Sequence, residues 1–405
     1  MKKKINTFLR RLGYLVSFPI ALFFSLIFPV YRIRFIGLQA SRIGHYALNT
    51  ELMLCAIDAG YDNKKQKTFF FNMAKPCNEQ LLKMWKRILP FFPISILAIQ
   101  VDFFMSKILR KKYTNDYIKK KYEPCSGVVD EAGFLKKFPS HLFFTESEKK
   151  IGEKILLQLG VPFNKKYILL IVRDSAYLKN QYPENDWSYH NHRDAAIENY
   201  TEMMKYLADL GYYVIRMGKH VNSKLSINHP RIIDYANHAL RSDFMDIYLS
   251  SGCYFCVSTC TGLDCVAQIF RRPILMTNIS PAFGELLMWY PCKLYIPKLL
   301  KSSIQDKVLT FSQTAKIGHQ ASKNFLCDIK NKNLSLIENS PEQLVDVTKE
   351  MLARLSNNWI ESDDDKTLQE KYWIIYKKNC PVPVEEVYIK IGSDFLRSYQ
   401  GLLEY

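Results

Sequence analysis

The sequence predicts an α/β fold in which helices cover both faces of a parallel sheet. Apolar strands and amphipathic helices alternate between Tyr167 and Thr277, a pattern typical of doubly wound sheets. Within this region, Ser251–Asn278 has the order of one βαβ unit: a buried strand, a hydroxyl-rich turn, a short helix and a second strand. Because ligands of such sheets bind at the carboxyl ends of the strands, we expect a site in the loops that follow them.

The first part of the chain shows a shorter alternation of the same kind. Its predicted elements are a strand at Ile33–Leu38, a loop at Ser41–His45, a helix at Tyr46–Ala59, a strand at Thr68–Met73 and a helix at Asn78–Ile88.

A second series follows a predicted helix at Glu146–Leu159. The predicted strands are Tyr167–Val172, Tyr212–Met217, Tyr254–Ser258 and Ile274–Thr277, and the helices between them are Ala195–Leu210, Phe244–Ser250 and Leu263–Phe270. Three more helices are predicted at Pro341–Leu355, Leu368–Tyr376 and Val387–Leu396, with an acidic linker at Glu361–Asp365.

The charge balance indicates an anionic partner. The 405 residues include 56 Lys and Arg against 39 Asp and Glu, a net charge of +17. The basic residues cluster at the N-terminus and in Lys107–Lys121, both beside apolar residues, and no nucleic-acid-binding motif is visible. We therefore expect an anionic membrane surface rather than a nucleic acid.

Residues Leu12–Val30 form an uncharged apolar segment of 19 residues. Basic residues flank it on both sides: Lys2, Lys3, Lys4, Arg10 and Arg11 before it, Arg32 and Arg34 after it. A single membrane span, a buried core helix and a monotopic helix on one leaflet are the alternatives. Positive charge on both flanks favours the monotopic helix, and the apolar stretch Ile88–Phe103 extends the same face or joins the core.

The ten cysteines indicate reduced, buried thiols rather than a disulfide framework. Cys253, Cys256, Cys260 and Cys265 have a spacing that fits no common zinc pattern. We predict no metal ligand in the chain.

Basic and hydroxyl-bearing residues recur where the predicted strands end. They are Arg173 and Asp174, the run Tyr189–Asp194 with His190 and Arg193, the turn Arg216–Lys219 with Gly218, and Ser258, Thr259, Thr261 and Gly262. Arginine binds phosphate in a bidentate manner, and a turn before a helix offers backbone N–H groups to an anion. These loops therefore predict a phosphate-binding edge, with Asp174 orienting the phosphate or contacting a sugar hydroxyl.

In the first domain, Arg42, Gly44 and His45 precede a helix. Gly44 permits a tight backbone, and a histidine at this position is suited to act as a general base because its pKa lies near neutrality. A local hydrogen bond or helix cap is the other interpretation of His45.

These motifs resemble a family of bacterial glycosyltransferases of the GT-B class, found with surface-polysaccharide (O-antigen or capsule) genes. The stretches that carry the resemblance are RIGHYALNTEL (Arg42–Leu52), IVRDSAYL, YHNHRD, YYVIRMG, SDFMDIYL and STCTGLD. The resemblance implies two Rossmann-like domains facing across a cleft. It further implies a nucleotide-sugar donor in the C-terminal domain, no metal cofactor, and an acceptor bound by Arg42, Gly44 and Asn49 near His45.

The expected domains are a membrane-associating segment (1–35), an acceptor domain (36–145), a nucleotide-sugar domain (146–358) and a helical tail that packs back on the acceptor domain (359–405). The expected function is transfer of a sugar to a polyprenyl-linked or glycan acceptor at the cytoplasmic face of the bacterial inner membrane. His45 and Asp174 are the predicted catalytic residues. A membrane-tethered scaffold and a nucleotide-sugar epimerase are the alternatives.

Overall fold

A computed structural model describes residues 2–62, 66–123, 130, 132–181, 183–280, 292–317, 323–379 and 389–404. The chain divides into two compact units, residues 1–128 with 137–144, and residues 129–136 with 145–405. The sequence places the main domain boundary between residues 145 and 146. At this point Thr145 caps a helix that begins at Glu146.

The first unit alternates strand and helix as predicted and then becomes helical. Its elements are α1 (Lys2–Ile27), β1 (Arg32–Leu38), α2 (Thr50–Ala56), β2 (Gln66–Asn72), α3 (Glu79–Ile88), α4 (Ser95–Leu109), α5 (Lys111–Thr114) and α6 (Tyr117–Tyr122). Two π-helical turns, His45–Asn49 and Ile57–Tyr61, extend α2 at its two ends.

The sheet of the first unit is smaller than the sequence predicts. Strands β1 and β2 pair in parallel, and one further bridge joins Phe70 to Phe91. Within the described residues the sheet has two strands, whereas we expected a Rossmann-like domain. The chain after Phe91 enters α4, α5 and α6 rather than further strands, which explains the difference.

Helices α1 and α4 pack side by side and leave an apolar face exposed. Phe104 of α4 lies against Tyr14 and Phe18 of α1. The large exposed apolar side chains of the pair are Leu15, Val16, Phe18, Leu22, Phe23 and Leu26 on α1 and Ile96, Ile99, Phe103 and Ile108 on α4. We call this set the α1/α4 apolar face. In the part of the chain that is described, no helix has both the length and the apolar character needed to cross a membrane.

Two basic residues that the sequence assigns to the membrane-facing clusters are buried instead. Arg34 is fully buried, and its guanidinium donates to Asp62 and Asp116 at 2.7 and 2.8 Å. Lys119 Nζ lies 2.8 Å from both Asp102 and Glu123. These charges hold the core of the first unit together, because a buried cation needs a carboxylate partner.

The second unit is the larger one. It begins with α7 (Phe134–Lys137), after which the chain returns to the first unit before α8. The elements of the first half are α8 (Glu146–Gln158), β3 (Tyr167–Ile171), α9 (Ala176–Gln181), α10 (Thr201–Asp209), β4 (Tyr213–Arg216), β5 (Ile232–Ile233), α11 (Asp243–Gly252), β6 (Phe255–Ser258), α12 (Asp264–Ile269) and β7 (Ile274–Ile279). The elements of the second half are β8 (Cys292–Pro297), β9 (Leu299–Ser302), β10 (Lys307–Val308), α13 (Phe311–Ala315), α14 (Lys323–Asn331), β11 (Leu334–Ile337), α15 (Pro341–Leu355), α16 (Asp363–Asn379), β12 (Lys390–Ile391) and α17 (Ser393–Ser398).

Seven parallel strands of the described residues form one sheet in the order β12-β8-β7-β6-β3-β4-β5. The strand order reverses between β3 and β6, so the carboxyl ends of these two strands border the crevice where such sheets bind ligands. Strands β9, β10 and β11 form a separate antiparallel sheet. The doubly wound pattern predicted for this part of the chain is confirmed, since the four predicted strands are β3, β4, β6 and β7.

The C-terminal tail differs from its prediction in two respects. Strand β12 pairs with β8, so the tail is part of the second unit rather than a helix packed on the first. The apolar side of α16 explains this placement, because Tyr372 and Trp373 pack against Tyr295 of β8. The predicted helix Val387–Leu396 is the strand β12 followed by α17, and its first two residues lie outside the described residues.

Candidate functional site

The loops that follow β3, β4 and β6 are joined by hydrogen bonds at one edge of the large sheet. The Arg173 backbone N–H after β3 donates to Thr259 Oγ1 after β6 at 2.9 Å. The Asn222 N–H in the loop after β4 donates to Asp174 Oδ2 at 2.9 Å. The sequence prediction that these loops meet is therefore confirmed for Arg173, Asp174 and Thr259.

Three cations converge at this edge. Arg173 Nη1 donates to the Asp194 carboxylate and, at 3.0 Å, to the His190 carbonyl. Arg193 Nη2 lies 2.9 Å from His190 Nδ1. Lys298, which directly follows β8, donates from Nζ to the Asp194 carbonyl. We call Arg173, Arg193 and Lys298 the cation cluster.

The charges of the cation cluster act on one another and on His192, and two carboxylates, Asp194 and Glu338, lie against the cluster. Burial, with a contribution from the charge of Arg193, lowers the pKa of Arg173 to about 10. Burial also lowers the pKa of Lys298. The pKa of His192 falls to about 4, because burial and the charges of Arg193, Arg173 and Lys298 all disfavour its protonated form. An anion bound here gains from all three charges in a low-dielectric setting.

Two buried polar atoms in or beside the cation cluster have no hydrogen-bond partner among the described residues. Arg193 Nε carries a hydrogen and can donate, whereas His192 Nε2 can only accept, because the Nδ1–H of the neutral ring faces the Tyr189 carbonyl. Buried polar atoms normally have a partner, since leaving one unpaired costs about 1–3 kcal/mol. The cluster therefore has donor capacity to offer to a ligand.

The turn after β6 is built around an internal carboxylate. Ser258 Oγ donates to Asp264 Oδ2 at 2.7 Å, and the Thr261 N–H donates to the same oxygen at 2.8 Å. Burial raises the pKa of Asp264 to about 6. The sequence predicts Ser258, Thr261 and Gly262 as phosphate ligands; in the structure Asp264 accepts from the first two. A phosphate contact of Gly262 stays a prediction.

The side chain of Arg216 is held by atoms of the loop that follows β4. Its guanidinium is buried and donates to the Ser223 carbonyl at 2.6 Å, and Asp234 Oδ1 lies 3.4 Å away. The Gly218 carbonyl accepts from Arg241, and Lys219 Nζ lies 3.8 Å from Asp243. The Arg216 guanidinium thus makes contacts that shape the loop, while Lys219 stays partly exposed. Contacts of Arg216, Gly218 and Lys219 with a donor stay a prediction.

Asp174 has a comparable positioning role. Its two carboxylate oxygens accept backbone N–H groups from Ala176 and Asn222, each at 2.9 Å. Both oxygens therefore bind loop backbone, an arrangement that orients Arg173 beside them rather than one that leaves a carboxylate for acid–base chemistry.

Aromatic side chains lie next to the cation cluster. The ring of His190 stacks on Trp187 at 6.1 Å between centroids and 10° between planes, and Tyr189 lies 4.0 Å from His190. All three side chains are partly exposed. Such a surface is suited to stacking against a planar ring.

Sequence reasoning missed Lys298 and the internal role of Asp264. Lys298 follows a strand that was not predicted, although the apolar run Leu294–Pro297 before a single lysine is a usable signal. Asp264 opens a helix directly after the hydroxyl-rich turn, and an acidic residue in a first turn is a common partner for free N–H groups.

In the first unit, the predicted acceptor residues cluster around His45. Burial and the charge of Arg42 lower the pKa of His45, and a hydrogen bond that the imidazole donates to the Asn49 side chain acts in the opposite direction. The imidazole is therefore neutral at pH 7, which is the form that accepts a proton. Gly44 has φ −61° and ψ −48°, an ordinary helical backbone, so the tight turn predicted there is not present.

No model of a protein family matches this chain, and a comparison with curated proteins finds no relative. Solved structures do resemble its fold. The glycosyl transferase family 9 protein from Veillonella parvula DSM 2008 is 9% identical, with a TM-score of 0.39 over 66% of this chain and 86% of that chain. The ADP-heptose lps heptosyltransferase II of E. coli is 14% identical, with a TM-score of 0.41 over 80% of this chain and 99% of that chain.

The S. aureus MnaA–UDP co-structure is 10% identical to this chain, with a TM-score of 0.31 over 87% of this chain and 100% of that chain. At these identities and TM-scores, such similarities do not identify what the chain does. The residues of the site itself are the basis for its function.

Proposed function

We propose that this chain is a glycosyltransferase that takes its sugar from a nucleotide-activated donor. The observation that carries the proposal is the cation cluster at the carboxyl edge of a doubly wound sheet, in which Arg193 Nε has no hydrogen-bond partner among the described residues. A nucleoside diphosphate is the natural ligand of such an edge, because its phosphates need several cations and its base needs an aromatic surface.

The cation cluster supplies the chemistry that departure of a nucleotide requires. When the bond between the sugar's anomeric carbon and the phosphate oxygen breaks, negative charge develops on that oxygen. Fixed cations stabilise this charge without reorganisation, so the barrier falls. In the free protein Asp194 holds Arg173 and Lys298 in place, and the phosphate shares these cations when it binds.

The acceptor hydroxyl must lose a proton as its oxygen attacks the sugar. We assign this proton to His45, whose lowered pKa keeps the imidazole neutral and able to accept it. The proposal needs no metal ion to offset the phosphate charge, because the cluster provides three cations. The dependence of the reaction on divalent ions is measurable in the same assay.

The α1/α4 apolar face supports a membrane location for the acceptor. Exposed basic residues adjoin this face: Arg32, Lys107, Arg110, Lys111 and Lys112. Exposed apolar side chains beside exposed cations are typical of a segment that lies on an anionic lipid surface. The side chains of Lys2–Lys4, Arg10 and Arg11 lie outside the described part of the chain. We infer a polyprenyl-linked or glycan acceptor at the cytoplasmic face of the inner membrane, in surface-polysaccharide synthesis.

Binding and turnover measured together test the proposal. A panel of nucleotide sugars and nucleoside diphosphates is titrated into the purified chain by calorimetry. Arg193→Gln is expected to weaken diphosphate binding by about 10- to 100-fold, since a charged hydrogen bond contributes about 1.5–3 kcal/mol. Arg231→Gln is the matched control, because Arg231 is exposed and donates to the Ala208 carbonyl.

The outcomes separate the alternatives. Saturable binding that depends on Arg193, together with release of the nucleotide when an acceptor is added, supports a glycosyltransferase. A scaffold shows no saturable binding of any nucleotide. An epimerase binds the donor but returns a product that still carries the nucleotide.

A further inference from the structure

Three side chains with metal-ligating atoms lie together in the first unit, and none of them belongs to the donor site. Glu51 and Cys55 are on α2, and His141 is in the segment 137–144. A carboxylate oxygen, a sulfur and an imidazole nitrogen from these residues all lie within 4.8 Å of one another. The segment 137–144, which is distant in the sequence, thus lies against one face of α2.

The separations suit a small tetrahedral ion. Glu51 Oε1 lies 3.2 Å from His141 Nδ1 and 4.0 Å from Cys55 Sγ. Ligands bound to zinc at its usual bond lengths of about 2.0–2.3 Å lie about 3.3–3.7 Å from one another. His141 Nδ1 is buried and makes no hydrogen bond to any residue in the described ranges. The separation of the imidazole nitrogen and the Cys55 sulfur lies within 4.8 Å, so movements of up to about 1 Å would bring all three atoms to bonding distance of one ion.

The second nitrogen of His141 has the partner that a metal-bound histidine usually has. His141 Nε2 lies 2.9 Å from Asp58 Oδ2. In metal sites such a carboxylate accepts the free N–H of the ligating imidazole and fixes the orientation of the ring. Glu51, Cys55 and Asp58 are spaced at i, i+4 and i+7, so one helix face carries both ligands and the supporting carboxylate.

The surroundings favour a positive charge at this point. The Glu51 side chain is fully buried, and a buried carboxylate needs a cation. A metal ion bound beside Glu51 would supply this charge.

We propose that the first unit binds one Zn²⁺ ion through Glu51, Cys55 and His141, with Asp58 as the supporting carboxylate. A thiolate and an imidazole select zinc over magnesium or calcium, which prefer oxygen ligands. Cys55 binds as the thiolate and His141 as the neutral imidazole, so the thiol and any imidazolium each release one proton to solvent. The ion ties residues 137–144 to α2, a structural role that does not depend on the proposed sugar transfer.

Metal content and a spectroscopic probe test the site. The full chain, prepared with zinc, is expected to carry about one zinc per chain by mass spectrometry of metals, since structural zinc sites bind tightly. Replacement by Co²⁺ is expected to give a thiolate-to-cobalt charge-transfer band. Cys55→Ser is expected to abolish this band, and Cys327→Ser, at an exposed cysteine of the second unit, is expected to retain it.

A positioning variant keeps the test informative if Cys55→Ser does not fold. Asp58→Asn retains all three ligands and is expected to weaken zinc binding by about 10- to 100-fold. Chelation of the wild-type chain is expected to lower its melting temperature. A wild-type chain that takes up no zinc and gives no cobalt band, or one whose zinc affinity is unchanged by both Cys55→Ser and Asp58→Asn, would overturn the proposal in favour of a protonated His141 held by two carboxylates.

Discussion

Thr259 Oγ1 accepts a hydrogen bond of 2.9 Å from the Arg173 backbone N–H. This contact joins the turn after β6 to the loop after β3, on the two sides of the point where the strand order reverses. It fixes the backbone from which the Arg173 guanidinium reaches the cation cluster. A turn predicted to bind phosphate therefore acts first by positioning an arginine.

Thr259→Val tests this positioning role. Valine has nearly the same shape but leaves the Arg173 N–H without its acceptor, so we expect a loss of about 1–2 kcal/mol in stability and weaker binding of nucleoside diphosphates. Thr259→Ser keeps the hydroxyl and is the matched control. Equal affinities for the valine and serine variants, measured by calorimetry, would show that the hydroxyl does not position Arg173.

Lys298→Gln and Arg216→Gln are expected to act differently. Lys298 is part of the cation cluster, so its loss is expected to weaken diphosphate binding by about tenfold or more. Arg216 holds the loop after β4 through Ser223 and Asp234, so its loss is expected to lower the free energy of unfolding by about 3 kcal/mol with a smaller effect on affinity. Denaturation and calorimetry on both variants check this. The reverse pattern would restore Arg216 as the direct donor ligand that the sequence predicts.

A bound diphosphate is expected to raise the pKa of His192. In the free protein this pKa is about 4, below the value of about 6.5 in an unfolded chain. The stabilising contribution of the neutral ring is therefore present above pH 6.5 and is lost as the pH falls toward 4. An anion at the cation cluster offsets the repulsion, so the NMR-detected titration of His192 should move upward when a nucleoside diphosphate saturates the protein. An unchanged titration would place the phosphate elsewhere, and His192→Gln identifies the resonance.

His45→Ala is expected to leave donor affinity unchanged and to slow transfer by about 10²- to 10⁴-fold, the usual contribution of a general base. Because the pKa of His45 lies below 6.5, the wild-type rate should decline only as the pH falls below that value. His229→Ala, at a partly exposed histidine of the second unit, is the control. Wild-type turnover by His45→Ala would remove the residue from the mechanism.

Arg32 and Arg34, two residues apart on β1, are expected to respond in opposite ways to the same change. Arg32 is exposed, so Arg32→Gln should weaken binding to vesicles that contain anionic lipid by about fivefold, near 1 kcal/mol per basic residue, without a change in melting temperature. Arg34 is buried between Asp62 and Asp116, so Arg34→Gln should destabilise the fold by about 3 kcal/mol. Vesicle flotation and thermal unfolding measure the two effects. If Arg32→Gln binds the vesicles as well as the wild-type chain does, the start of β1 does not face the lipid.

The large sheet was predictable from the sequence, and the details of the site were less so. Strands β3, β6 and β7 are buried along their whole length, so each can be recognised in the sequence as a mostly apolar segment. The Thr259–Gly262 turn can donate its hydrogen bonds either to a ligand or to the carboxylate of Asp264. The choice depends on side-chain geometry, which cannot be read from the spacing of residues in the sequence. Likewise, the sequence around β1 does not show that Arg32 is exposed and Arg34 is buried. The carboxylates that pair with Arg34 belong to Asp62 and Asp116, which are distant in the sequence.

The contacts of the first unit were also hard to predict, because residues that meet in space are far apart in the sequence. Glu51 and His141 are separated by 90 residues, and the sequence around either one has no metal-site pattern. Lys298 was missed because β8 was not predicted, although α11, α12 and α15 were placed within two residues of their observed bounds.

Strand β12 is only two residues long, Lys390–Ile391, yet it occupies the outer margin of the large sheet by pairing with Leu294 and Tyr295 of β8. Without it, β8 would present unpaired backbone groups to any other extended chain, and exposed margins of this kind promote aggregation. We therefore expect β12 to limit self-association, and a truncated form that ends before Lys390 to be less soluble than the whole chain.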